Sequence, residues 1–188
     1  MGVNGKAKGN GFERKIANLL SETFKNYLGI SNGFRRNPDS GSFYGGSNID
    51  RINTHSLDYA VFGDLICPRH FKYSIECKHY KTAPSIQAII NQSVKQWDTW
   101  LEQAEQDSKA SNKEFTLIVK YNNVDELIFL KNTLHGFETI IKYKQYHIYK
   151  LSDFLSFNSN FYFSEQAQTS NPASGQTNIA EQETTQVN

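Results

Sequence analysis

Apolar residues recur at helical spacing in two long stretches of this 188-residue chain and alternate at strand spacing in several short ones. Phe12, Ile16, Leu19, Leu20, Phe24, Tyr27 and Leu28 form one helical stripe facing a sheet. They predict a helix over 10–28, with Asn10 as cap and Gly29 as stop. Ile86, Ile90, Val94, Trp97, Leu101 and Ala104 recur at steps of three and four, which predicts a second long helix over 85–108. Gln92 and Gln96 form a polar shoulder beside that stripe, and Trp97 and Trp100 read as core or dimer contacts. Between the helices, residues 63–81 read GDLICPRHFKYSIECKHYK. Two apolar runs there, 65–67 and 71–75, are joined by Pro68-Arg69-His70, the pattern of a tight hairpin or strand–turn–strand unit. Residues 114–121, EFTLIVKY, read as a central strand, with further strands over 126–131 and 143–151 and a short helix, capped by Ser152, over 153–157.

The apolar pattern ends at Phe163, and from residue 165 onward Gln, Thr, Ser, Asn and Gly dominate. We therefore expect a flexible basic arm over 1–9, one folded domain over 10–163 and a disordered polar tail over 164–188. The order helix, strands, helix, strand predicts an α/β domain, a mixed sheet of four to five strands flanked by the two helices. Residues 31–56 are polar and rich in Gly and Ser, and so long a connection inside a compact domain is usually functional or disordered.

The hydrophobic fraction of 38% and mean hydropathy of −0.60 are low, partly because of the tail. No apolar run approaches a membrane span, and MGVNGKAKGNG has no apolar signal core. Cys67 and Cys77 both sit in apolar strand patterns, so they read as buried free thiols in a reducing, intracellular compartment. Zinc spacing, a phosphate-cradling glycine loop, a Ser/His/Asp order and internal repeats are all missing from the sequence. Net charge is +1, yet residues 1–36 carry seven Lys and Arg against two Glu, a local excess of +5. A basic N-terminal third is the footprint expected for a phosphate backbone.

Candidate chemistry lies in residues 63–81. Strand side chains alternate, so Glu76 and Lys78 point one way while Ile75 and Cys77 point into the other layer. Asp64, at the start of the preceding run, is expected beside Glu76 across the ladder, with Asp58 as a lesser alternative and Asp50 as a spare acid. For an isolated E-x-K, a cross-strand salt bridge on a solvated face is the ordinary reading. The upstream Asp, the apolar strand around the tripeptide and the basic chain before it favour a metal site. Mg²⁺ prefers oxygen ligands, and Asp64, Glu76 and the Cys77 backbone carbonyl supply them. Lys78 is then placed to act on the attacking water and to offset charge on the phosphorane. Arg35 and Arg36 follow Phe34 in a short strand or turn; with Ser40 and Ser42 they are candidates for phosphate contact. Lys6, Lys8, Lys15 and Lys81 are the basic candidates outside that loop. His79 points with Cys77, away from the proposed site.

Asp64 followed by Glu76-Cys77-Lys78 resembles the PD-(D/E)xK nuclease superfamily, with Gly63 where the motif has proline. Residues 9–20, GNGFERKIANLL, resemble the opening helix of archaeal-type and phage Holliday junction resolvases. Residues 35–46, RRNPDSGSFYGG, resemble the Arg-then-Ser-Gly loop of the same group. The resemblance covers residues 5–120. It implies a restriction-endonuclease-like core and an endodeoxyribonuclease dependent on Mg²⁺, with Mn²⁺ as a substitute. The expected partners are a four-way or branched DNA and a second copy of the chain. Glu13, by itself a carboxylate favoured by the helix dipole, is implied as a further metal or metal-water ligand. A restriction-type or repair endonuclease on duplex DNA and a non-catalytic nucleic-acid-binding module stay open as alternatives.

Overall fold

The structure is a computed structural model that describes residues 5–38 and 59–164. Ser40, Ser42, Asp50, Asp58 and the expected polar tail beyond residue 164 lie outside the described residues. In chain order the elements are α1 (Gly5–Leu28), β1 (Arg35–Arg36), β2 (Tyr59–Phe62), β3 (Leu65–Pro68), β4 (Tyr73–Tyr80), α2 (Ile86–Ile90), α3 (Lys95–Ser111), β5 (Glu114–Tyr121), β6 (Leu127–Leu130), β7 (Ile141–Tyr143), β8 (Tyr146–Lys150), α4 (Leu151–Phe154) and α5 (Ser159–Tyr162).

Two sheets result. The larger is a five-stranded mixed sheet in the order β4-β5-β6-β8-β7. β4 and β5 run parallel, with Glu76 opposite Leu117 and Lys78 opposite Val119, and the remaining pairs are antiparallel. The helix α3 between β4 and β5 makes the crossover that a parallel pair requires. Alternation then sorts the side chains into two cores. Phe12, Ile16, Leu20 and Phe24 of α1 pack with Ile75, Cys77, Ile118 and Ile128 on one face. Trp97, Leu101 and Ala104 of α3 pack with Leu117, Val119, Tyr121 and Phe129 on the other. The Trp97 indole donates to the Tyr121 hydroxyl at 2.6 Å, so a large buried side chain keeps its polar atom satisfied. The C-terminal α4 and α5 close the first core, where Tyr162 and Phe163 meet Phe24. This is the α/β architecture expected from the sequence.

The smaller sheet has the order β1-β3-β2, and it corrects the strand–turn–strand expectation over 63–81. β3 does not pair with β4. It pairs antiparallel with β2, Phe62 opposite Leu65, around a two-residue loop of Gly63 and Asp64, and with β1 on its other side. Gly63 has φ +66°, the left-handed conformation that such short loops demand of their first residue. Residues 69–72 carry the chain from the small sheet to the large one.

The second helix also differs. Its expected span is split into α2 and α3, because Gln92 adopts φ +53°. The Gln92 amide donates to the Lys142 carbonyl at 3.1 Å and accepts the Lys144 backbone N–H, so tertiary bonds replace helical ones. Ile86 and Ile90 therefore leave the buried stripe and are 76% and 66% exposed. On α1, Leu19 and Tyr27 of the predicted stripe are exposed as well, and Tyr27 stacks on Phe163. α1 starts at Gly5 rather than Asn10, so residues 5–9 of the expected flexible arm are helical. Lys8 Nζ donates to Asn122 Oδ1 at 2.9 Å and Asn10 Oδ1 accepts from Arg36 at 3.0 Å, which anchors these turns. Within residues 143–151, Tyr143 belongs to β7, and Lys144 at φ +52° makes the turn into β8. The short terminal helix lies at Leu151–Phe154, after Lys150, and not after Ser152. Among the described residues no helix is long and apolar enough to cross a membrane.

Candidate active site

Asp64 reaches Glu76 by a route other than a shared ladder. The Gly63-Asp64 loop is pinned from both sides: Asp64 N–H donates to the Ile75 carbonyl at 2.9 Å, and Asn37 N–H donates to the Asp64 carbonyl at 2.8 Å. The Asn37 side chain adds a bond to the Gly63 carbonyl at 3.2 Å. The Asp64 carboxylate then accepts the Cys77 backbone N–H at 2.8 Å through Oδ2. This loop lies against the outer edge of β4, the edge strand of the large sheet. Within a strand, the N–H and C=O of one residue point to the same side and alternate from residue to residue. Since the Ile75 carbonyl and the Cys77 N–H both face Asp64, the Cys77 carbonyl faces that edge too.

The loop also explains the missing proline of the motif. A Cβ on Gly63 would lie 2.4 Å from the Ile75 carbonyl oxygen, and proline cannot adopt a positive φ. Glycine is the residue that permits this approach.

Glu76 and Lys78 point together from β4 toward α3, as alternation requires, and form an ion pair. Glu76 is 2% exposed and Asp64 6%. The Lys78 ammonium also donates to Gln103 Oε1 on α3 at 3.1 Å, and the Asp107 carboxylate lies close enough to act on Lys78, Glu76 and Asp64. Gln103 and Asp107 were missed in the sequence, although their spacing of one turn beside Gln96 and Trp100 marks one helical stripe.

Burial dominates the electrostatics. It pushes the Asp64 carboxyl up to about 6, against the Cys77 N–H bond and Lys78. Burial and the neighbouring Asp64 charge push Glu76 up to about 8, against Lys78. For Lys78, burial works against the charged form, but Glu76 and Asp64 outweigh it and raise its pKa. Both thiols are free and buried; burial pushes Cys67 up to about 12 and Cys77 well above its usual range.

This donor set fits a hard divalent cation. Two buried carboxylates adjoin a backbone carbonyl at an open sheet edge, and Glu76 Oε1 is buried with no hydrogen bond of acceptable angle, its charge met only by the Lys78 ammonium. A cation is the group that would relieve such a pair. Among the described residues, no three His, Cys, Asp or Glu side chains converge closely enough to hold an ion by themselves, so Glu13 does not join Asp64 and Glu76 in one triad. Glu13 is buried on α1, and its charge bears on Asp64. Its Oε2 accepts from Arg36 Nε at 2.6 Å.

The basic candidates lie around this centre. Arg36 is half-buried with Glu13 and Asn10, whereas Arg35 and Lys81 are exposed. Lys8 is bonded to Asn122, and Lys15 pairs with Glu126 at 2.6 Å. Lys6 lies in the first turns of α1.

Comparison with known proteins gives the family. Residues 4–162 match the model of a family described as "Phage putative PDDEXK endonuclease". No curated protein matches the sequence. A solved structure of Archaeoglobus fulgidus Hjc, a Holliday junction resolvase from an archaeal hyperthermophile, aligns at 15% identity and a TM-score of 0.35, covering 78% of this chain and 91% of that one.

Proposed function

The chain belongs to this family of phage PDDEXK endonucleases, and from that premise we propose that it hydrolyses DNA phosphodiester bonds with the help of a divalent cation. Asp64, Glu76 and the Cys77 carbonyl would hold the cation, Mg²⁺ or in its place Mn²⁺. When bound, it would act as a Lewis acid on the scissile phosphate and acidify a water. The observation that carries this reading is the Asp64 Oδ2 to Cys77 N–H bond, which fixes one carboxylate at the strand edge beside the buried Glu76 and Lys78.

The remaining roles fall to the chain's own groups. The Cys77 N–H and the pinned Gly63-Asp64 loop keep the Asp64 carboxylate from rotating away. Lys78, steadied by Gln103, presents its ammonium where negative charge develops and orients the attacking water. Glu13, buried and held by Arg36, would accept a proton from a water or bind the cation through one. Arg35, Arg36, Ser40, Ser42, Lys6, Lys8, Lys15 and Lys81 are assigned to the DNA backbone.

Within this reading we assign a four-way DNA junction as the substrate and a symmetric pair of chains as the active form. The support is the resemblance of residues 9–20 and 35–46 to junction resolvases, together with the need for two sites of fixed separation to make two opposed nicks. The test is cleavage of a labelled four-way junction and a matched linear duplex, with Mg²⁺ or EDTA, by wild type, Glu76→Ala and Lys78→Ala. Paired, metal-dependent nicks near the junction centre, lost in both variants while junction binding persists, are the expected result. Equal cutting of both substrates would discard junction selectivity and keep the endonuclease. A folded wild type that binds DNA yet cuts neither substrate with Mg²⁺ or Mn²⁺ would overturn the reading.

A further inference from the structure

On the α1 side of the large sheet, the far end of β4 adjoins a row of polar and cationic side chains that extends beyond Lys8 and Lys15, already assigned to the DNA backbone. His79 is two residues beyond Cys77, roughly 6.5 Å along the strand, and points to the opposite face from Lys78. Its ring packs against Phe12 at 5.4 Å, near the Asn122 side chain. Lys8 Nζ donates to the Asn122 side chain at 2.9 Å. Beside them, Lys15 of α1 and Lys120 of β5 converge on one carboxylate, Glu126, at 2.6 and 3.2 Å. Asp125, the neighbouring acid, is directed to Lys150 instead.

Three ammonium groups thus stand around a single carboxylate that pairs with two of them, a net excess of positive charge set around a histidine. Glu126 registers that field. Burial opposes the charge on Glu126, yet the two lysines beside it outweigh burial and hold it at about 2. Lys15 is 60% exposed, and Lys8 and Lys15 stand two helical turns apart on one face of α1. Glu13, whose charge reaches Asp64, projects from another side of that helix. The row starts instead at His79, two residues along β4 from Cys77, and leads away across β5. A packed interior has no use for such an uncompensated cluster; a polyanion laid across it does, because it releases counterions there.

We infer that Lys8, Lys15, His79, Lys120 and Asn122 form a backbone track for the DNA flanking the scissile phosphate, with Glu126 as the carboxylate that spaces its lysines. The inference rests on the endonuclease reading for the identity of the polyanion. The track is assigned to phosphates, because its lysines are mobile point charges with an excess over the one carboxylate beside them. Glu126 has a distinct part: it holds two long side chains in place and lowers the affinity of the track.

Equilibrium binding of a labelled DNA duplex in EDTA, where cutting is suppressed, tests this as a function of salt. For wild type, log K falls linearly with log salt. Lys8→Ala/Lys120→Ala should flatten that slope by about 2, about one for each phosphate no longer neutralised, and weaken binding by the same factor whatever the duplex sequence. Glu126→Gln should do the reverse, binding about 3- to 10-fold more tightly at low salt with a slope at least as steep as wild type. A purely structural role for these residues predicts no gain in Glu126→Gln. An unchanged slope in a double variant that melts like wild type overturns the track, as does weaker binding by Glu126→Gln. Should the double variant fail to fold, Glu126→Gln alone decides. These outcomes are independent of the cleavage assay. A wild type that never nicks DNA but shows both slope changes would retain the track and discard the endonuclease, whereas nicking without slope changes would do the opposite.

Discussion

Gly63→Ala is the smallest change that addresses how the site is assembled. The added methyl has two costs. At φ +66° an L-residue other than glycine loses about 1–2 kcal/mol. The new Cβ would also stand 2.4 Å from the Ile75 carbonyl oxygen, and that oxygen is backbone, so the loop must move off β4. Doing so stretches the Asp64 N–H to Ile75 bond of 2.9 Å, worth about 0.5–1.5 kcal/mol. Together these predict a loss of about 1.5–3.5 kcal/mol in stability. The consequence for activity is sharper, because the same movement carries the Asp64 carboxylate away from the Cys77 N–H. A shift of about 1 Å at a reacting centre costs about 10²-fold in rate. Urea melts give the first quantity. Single-turnover cleavage at saturating Mg²⁺, well below the melting temperature, gives the second. A Gly63→Ala protein with wild-type midpoint and wild-type cleavage would refute the reasoning, since it would mean that the loop neither abuts β4 nor positions Asp64.

Four further outcomes follow from the contacts described. Asp64 and Glu76 are raised, to about 6 and about 8, so folding favours their protonated forms: the metal-free protein should lose stability as pH climbs from the ordinary carboxylate range toward 8 and level off above it. Because a cation must displace those protons, Mg²⁺ should raise the melting temperature at pH 8 far more than at pH 5.5; equal shifts at both would count against the assigned ligands. Trp97→Phe leaves the Tyr121 hydroxyl without its indole donor and shrinks a fully buried side chain, so a destabilisation of about 2–4 kcal/mol is expected in urea melts. Ile86→Ser/Ile90→Ser, by contrast, should fall within about 0.5 kcal/mol of wild type for each change in the same assay, since both side chains project from the surface.

The strand that carries Glu76 and Lys78 was legible because its signal is purely local. With a period of two, Glu76 and Lys78 must share a face and Cys77 must take the other, whatever the strand pairs with. The partner of Asp64 was not local. Gly63-Asp64 between 59–62 and 65–68 carries the glycine of a two-residue hairpin loop, but Pro68-Arg69-His70 offered a competing turn of similar strength. Only the packing of two separate sheets decides between them. The break between α2 and α3 left no glycine or proline in Asn91-Gln92-Ser93. It is stabilised by bonds from Gln92 to residues fifty positions away, which no window on the sequence contains. Gln103 and Asp107 were hidden differently, among many polar residues on α3, and only the position of Lys78 singles them out. The early start of α1 has the same origin, since its first turns are glycine-rich and rely on Asn122 and Arg36.

The bond between Asp64 and the Cys77 amide joins two sheets that share no ladder of their own. An amide on the outer side of an edge strand would ordinarily trade its hydrogen with solvent within a short time. Here that exchange must wait until the small sheet swings off the large one, even while every strand of both remains intact. The Cys77 amide is therefore a built-in clock for undocking. Its protection counts how often the two halves of the candidate site part company, a frequency that global melting never records. A substitution in the β2–β3 hairpin could silence the enzyme by speeding that clock alone, leaving a protein that is folded by every bulk measure and spends too little of its time assembled.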